Sequence, residues 1–239
     1  MYSAPVGSPS RTPGHRSAAR TAARTAAALA VPSVLLLLLV ASSWHPLLAL
    51  DGDIARTTHT WAVGHPSVTH VFRILTDWVW DPLTLRAVCG VATIWLVWRH
   101  SAWWLALWVV ATCALGTGLQ QGLKSAVGRE RPVWTDPVDS AHYAAFPSGH
   151  AMTATVVCGV LLRLLLLYGA GRALWRTALT LAVLSVVGVG LTRVWLGVHW
   201  PSDVVGGWLI GALIVALAVT SYERWPGSGQ ERATRPRTP

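Results

Sequence analysis

Six apolar runs, each close to the length that crosses the hydrocarbon core of a bilayer, constrain this chain more than anything else in it. A crossing helix needs roughly 20 mostly apolar residues. The runs cover residues 26–50, 82–98, 102–121, 151–168, 177–191 and 204–222, with polar stretches between them. Of the 239 residues, 53% are hydrophobic and only 12% charged, a balance outside that of ordinary soluble domains. The expected fold is all-α: a polytopic membrane protein of six transmembrane helices.

The flanks read differently. Residues 1–25 are rich in Ser, Pro, Ala and Arg without apolar periodicity, so the expectation is a disordered basic N-terminal arm, then a membrane domain over 26–223 and a disordered basic tail over 224–239. A signal peptide competes for the first run, with Arg20 and Arg24 as its basic region and Val40-Ala41-Ser42 as its small-residue exit. The long arm before it and the apolar continuation to Leu50 favour an uncleaved helix. Residues 51–81 read as a loop whose part from 68 to 80 lies as an amphipathic helix in the interface. His59, His65 and His70 in that loop are spaced by six and five, which does not gather them on one helical face as a metal site. Cys89, Cys113 and Cys158 all fall within apolar runs with no paired spacing, so they read as small hydrophobes. Trp95, Trp98, Trp103, Trp104 and Trp108 around the turn at Arg99 form an aromatic belt. Gly118 with Gly122, and Gly207 with Gly211, have the spacing that lets helices pack closely.

Charge orients the expected spans. Nineteen basic against ten acidic residues give +9, and the apolar runs assign that excess to a membrane rather than to nucleic acid. With both termini cytoplasmic, twelve of the nineteen basic residues lie inside, six outside, and Arg86 within a span. The long polar loops then face the exoplasmic side of the plasma membrane. A chain rich in alanine and arginine, with Lys124 its single lysine, points to a GC-rich bacterial genome.

Three polar clusters fall on that outer face. The first carries Lys124 and Arg131, seven residues apart and so close to two helical turns, before Pro132. The second is Pro147-Ser148-Gly149-His150 at a helix start, where the Ser148 hydroxyl can cap and the Ser148 and Gly149 N–H groups can face an anion. The third sets Arg193, His199 and Asp203 in a polar island, with Asp203 one turn beyond His199. Each alone has a structural reading: interface charge, a helix start, a His and Asp at helical spacing. Together they form a receptor for a tetrahedral dianion with a nucleophile and a proton donor.

K-x6-R-P at 124–132, P-S-G-H at 147–150 and R-x5-H-x3-D at 193–203 resemble, in order, the three signatures of the type 2 phosphatidic acid phosphatase superfamily of lipid phosphatases. The resemblance implies that His199 attacks phosphorus and forms a phosphohistidine, that Asp203 orients it, and that His150 serves the leaving group and then the hydrolytic water. It further implies that Lys124, Arg131, Ser148, Gly149 and Arg193 hold the phosphate oxygens, with no cofactor and no metal. Thr192 stands where the family usually has Ser before the arginine, and it keeps the hydroxyl. The implied substrate is a lipid phosphate of the phosphatidic acid type. The alternatives are an isoprenoid diphosphate such as undecaprenyl diphosphate, phosphatidylglycerol phosphate, or non-catalytic binding or transport of a lipid phosphate. The partners are that lipid and the bilayer, and no motif in the sequence assigns an oligomeric state.

Overall fold

The computed structural model describes residues 13–224, and among these every regular element is helical. In chain order the helices are α1 (Pro13–Ala41), α2 (His45–Gly64), α3 (Pro66–Ile74), a π-helical turn at Leu75–Val79, α4 (Pro82–His100), α5 (Trp103–Val127), α6 (Gly149–Leu167), α7 (Arg172–Trp195) and α8 (Pro201–Arg224). Helices are what lipid permits, because each satisfies its backbone N–H and C=O groups within its own segment.

Two expectations about the first third of the chain are corrected. Helix α1 starts at Pro13, inside the stretch expected to be disordered, because Ala and Arg from 18 to 28 are strong helix formers even without an apolar face. The rest of that arm, residues 1–12, and the tail from 225 lie outside the described residues. The first run does not continue to Leu50 either. It stops at Ala41, the chain turns through Ser43 at φ 52°, and α2 begins at His45 with a proline in its first turn.

Residues 51–81 are therefore mostly helix rather than loop. Thr57, Thr58 and Thr60 make them look polar, yet each hydroxyl donates to a carbonyl one turn back in α2. Asp51, Gly52, Ala55 and Ala62 form a narrow buried stripe, too small-sided to register as an apolar period. The amphipathic helix expected over 68–80 is present as α3 and the π-helical turn.

Five helices, α1, α5, α6, α7 and α8, are long and apolar enough to cross a membrane. The remaining expected span, residues 82–98, is helical in α4, but Arg86, Arg99 and His100 lower its hydropathy and it is not among the five. Helix α1 packs along α8, α8 against α6, and α6 against α7, α4 and α5. Of the two glycine pairs, one is used. A Cβ on Gly207 would lie 2.8 Å from the Ser148 carbonyl oxygen, and one on Gly211 would lie 3.0 Å from that of Met152, so α6 and α8 meet backbone to backbone. A Cβ on Gly118 or Gly122 would meet nothing within 4 Å. That contact brings the start of α8 beside the start of α6, where the polar clusters lie.

Candidate active site

The turn from α7 to α8 is shaped by Gly197. It sits at φ 68°, and a Cβ there would lie 2.5 Å from the Trp134 indole nitrogen, which donates to the Gly197 carbonyl at 2.8 Å. Only glycine combines that conformation with that approach. The turn carries His199 into the interior, and Pro201 opens α8 at a position where no N–H is missed. Asp203 in the first turn of α8 accepts the Trp200 N–H at 2.9 Å on Oδ2, and the same oxygen faces His199 Nδ1 at 3.3 Å. His199 is 2% exposed and Asp203 0%.

One His199 tautomer satisfies both of its side-chain contacts. Its Nε2 lies 3.2 Å from Arg131 Nη1, and a guanidinium can only donate, so a lone pair on Nε2 fits there while a proton on Nδ1 is directed at Asp203. Burial, then the charges of Arg131, Arg193 and Lys124, hold the His199 imidazole well below its ordinary pKa. The ring is thus neutral, with its lone pair facing cations.

Those cations converge by routes that differ from the expected one. Helix α5 ends at Val127 with Gly128 in the left-handed conformation at φ 61°, so Arg131 does not share a helical face with Lys124. Residues 129–132 leave the helix without regular structure, and backbone carbonyls position Arg131 instead: Val198 at 2.5 Å, Tyr143 at 2.8 Å and His142 at 3.1 Å. Burial lowers the Arg131 pKa, though its guanidinium remains charged. Lys124 donates to the carbonyl of Ala144. Arg193, 5% exposed in the last turn of α7, has Nη1 3.7 Å from Asp139 and an Nε without a partner.

The Pro147–His150 turn is corrected in two details. Ser148 occupies the N-cap position of α6, but its hydroxyl makes no cap hydrogen bond and stays buried without a partner. Its backbone N–H is engaged by the Asp203 carbonyl at 2.9 Å, which leaves the Gly149 amide as the turn's N–H available to an anion. A Cβ on Gly149 would lie 2.6 Å from Gln120 Nε2, so a side chain there would displace the end of Gln120 on α5. His150, half-buried in the first turn of α6, lies within electrostatic reach of Arg193, His199, Arg131 and Lys124. All eight residues singled out from the sequence are brought to one end of the helix bundle. At Thr192, the hydroxyl donates to the Val189 carbonyl at 2.8 Å and lies 2.6 Å from that of Thr76.

Sequence reasoning missed a second ring of residues. Arg129 reaches Asp203 Oδ1 at 2.6 Å and Ser202 Oγ at 2.7 Å through Nη1, and Asp51 Oδ2 at 2.7 Å through Nη2. Asp51, 1% exposed, also accepts from the Ser202 N–H at 2.9 Å and from its hydroxyl at 2.5 Å. The one signal for Asp51 was an acid directly after an apolar run; its partner is 78 positions away.

The PAP2 superfamily model matches residues 102–226, just over half of the chain and all eight site residues. The chain belongs to the PAP2 superfamily. Among curated PAP2-like relatives, the decaprenylphosphoryl-5-phosphoribose phosphatase of Mycobacterium tuberculosis is 37% identical over 116 residues, 47% of this chain and 56% of that protein. The phosphatidylglycerophosphatase B of Bacillus subtilis is 36% identical over 104 residues, 41% of this chain and 49% of that one. The undecaprenyl-diphosphatase of Sulfolobus acidocaldarius is 36% identical over 75 residues, 31% and 32% of the two chains. The chain thus spans from about a third to just over half the length of these relatives. The crystal structure of a transmembrane PAP2 type phosphatidylglycerolphosphate phosphatase from Bacillus subtilis superposes with a TM-score of 0.61 at 23% identity, covering 87% of this chain and 98% of that one. At that identity the likeness is one of fold: this PAP2 chain has the same helical arrangement, and five of its helices are long and apolar enough to cross a membrane.

Proposed function

We propose that the chain is an integral-membrane phosphatase that hydrolyses lipid phosphate monoesters or diphosphates through a phosphohistidine, without a metal. The observation that carries this is the His199–Asp203 pair, whose unprotonated Nε2 faces Arg131 rather than solvent. Mere anion binding needs no buried, oriented lone pair.

In this reading the phosphate settles among Lys124, Arg131, Arg193, the unpartnered Ser148 hydroxyl and the Gly149 amide, which neutralise charge spread over its equatorial oxygens. His199 Nε2 attacks phosphorus and the bond to the lipid oxygen breaks, while His150, which takes up a proton as the phosphate anion offsets the charge of Arg193, Arg131 and Lys124, delivers it to that oxygen. Asp203 accepts the Nδ1 proton's hydrogen bond throughout and stabilises the imidazolium as it develops. His150, now neutral, takes a proton from water, which attacks phosphorus and frees His199. General acid and base assistance of this kind contributes on the order of 10²- to 10⁴-fold. Three cations and the helix terminus supply the electrostatics that a metal would otherwise provide.

A lipid substrate fits a head-group site at the ends of membrane helices, with the tail left in the bilayer. An isoprenoid diphosphate or phosphatidylglycerol phosphate is the second reading, favoured by the names of the curated relatives. Arg99, Arg163, Arg172, Arg176 and Arg224 fall at helix ends opposite the site, which supports cytoplasmic termini and an exoplasmic site.

The test is phosphate release by purified protein in EDTA from phosphatidic acid, phosphatidylglycerol phosphate, diacylglycerol pyrophosphate and undecaprenyl diphosphate. Wild type turns over at least one of them, and His199→Ala loses at least about 10³-fold in kcat. A variant that keeps most of its activity sinks the mechanism.

A further inference from the structure

The second ring has a distinct arrangement. Arg129 spends both of its Nη groups on the residues around Asp203: Nη1 serves Asp203 and Ser202, Nη2 serves Asp51, and the guanidinium lies 5.6 Å from the Trp200 ring centroid. Both carboxylates that it bridges are buried, with side-chain exposures of 2% for Asp51 and 0% for Asp203. A buried carboxylate without such a partner is strongly disfavoured. Asp51 comes from α2, outside the residues 102–226 that define the family segment.

We propose that Asp51 and Arg129 are positioning residues for the His199–Asp203 pair, so that α2 supplies part of the apparatus. The proposal rests on the phosphatase reading for its kinetic consequence. Asp203 divides its two oxygens: Oδ1 is held by Arg129, and Oδ2 is left to the Trp200 N–H and His199. Arg129 thus fixes the rotation of the carboxylate, and the carboxylate fixes the imidazole. Asp51 sets the charge. Two carboxylates and one guanidinium leave a net −1 beside His199, which matches the positive charge that the ring acquires as phosphorus is bonded. Without the Asp51 charge, Arg129 would neutralise Asp203 alone, and the imidazolium would face a neutral pair.

Two readouts on the full-length protein in detergent micelles test this, with wild type and His199→Ala in parallel. Turnover is measured on phosphatidic acid, or on whichever of the four lipids named above wild type hydrolyses fastest. Asp51→Asn and Arg129→Gln are expected to lower kcat by 10-fold or more with KM within about threefold, as for an interaction made in the transition state. Arg129→Lys, which keeps a cation on Asp203, recovers part of the loss. The second readout is the ¹⁵N shifts of the histidine rings, with His199 assigned by its absence in His199→Ala. Wild type shows a single Nδ1–H tautomer, and Arg129→Gln mixes in the Nε2–H form. A role in stability alone lowers the melting temperature and leaves the His199 tautomer and kcat as they were. That result, or a loss confined to KM, overturns the proposal. If Arg129→Gln does not fold, Asp51→Asn and Arg129→Lys decide it by the same criteria. If wild type releases phosphate from none of the four lipids while the tautomer still depends on Arg129, the phosphatase reading fails and the positioning role stands.

Discussion

His199 carries a consequence at the scale of one residue that does not depend on substrate. Its folded-state pKa is pushed down by burial and by three neighbouring cations, whereas in an unfolded chain it titrates near about 6.5. Below that pH the unfolded state takes up a proton that the folded state refuses, so the contribution of His199 to stability is full above about 6.5 and falls as the solution is acidified. Thermal unfolding followed by tryptophan fluorescence is expected to show a melting temperature that drops between pH 7.5 and 5. The drop is smaller in His199→Gln, and an identical pH dependence in the two proteins would remove the argument. The same low pKa means that the acid limb of the kcat/KM profile does not report protonation of His199 itself.

At the scale of elements, the α6–α8 contact sets the site. Gly207 touches the Ser148 carbonyl, and Ser148 in turn donates its N–H to Asp203, so helix packing and site geometry are one arrangement. Gly207→Ala places a methyl 2.8 Å from that carbonyl oxygen and 3.1 Å from Ala151 Cβ, which forces the helices apart. Overpacking of this kind costs about 1–3 kcal/mol. The expected outcome is a melting temperature lower by several degrees and a fall in kcat, measured beside Gly122→Ala, where a Cβ meets nothing and neither quantity falls. Equal behaviour of the two variants would show that close packing of α6 on α8 is not what places Ser148. Helix α2 and the loop after α5 form the other wall: His59 stacks on Trp134 at 4.1 Å between ring centroids, and Arg73 donates to the Val138 carbonyl.

At the scale of the whole molecule, the proposed orientation, with the site outside, is tested on the loop over residues 133–145, where Val133 is 91% exposed. Val133→Cys, in a chain whose three native cysteines are replaced, is expected to react with an impermeant maleimide added to intact cells. Labelling that appears only after lysis would reverse the topology. The charge argument counts side chains near the ends of spans and does not depend on how the helices pack.

The sequence by itself determined the helical class, most of the apolar runs and all eight residues at the candidate site, because apolar length and motif spacing are local properties. It misread residues 45–64, where the buried face is made of small residues and an acid, and where threonine hydroxyls turn back to their own helix. Tertiary structure alone decided how the cations meet. Arg131 arrives on the irregular segment after α5 rather than on its face, and the Ser148 N–H goes to the Asp203 carbonyl rather than to an anion. It also decided that Asp51, Arg129 and Ser202 belong beside Asp203. No local pattern encodes a hydrogen bond across 78 positions; the bundle has to bring α2 against the start of α8 before a buried carboxylate finds its cation.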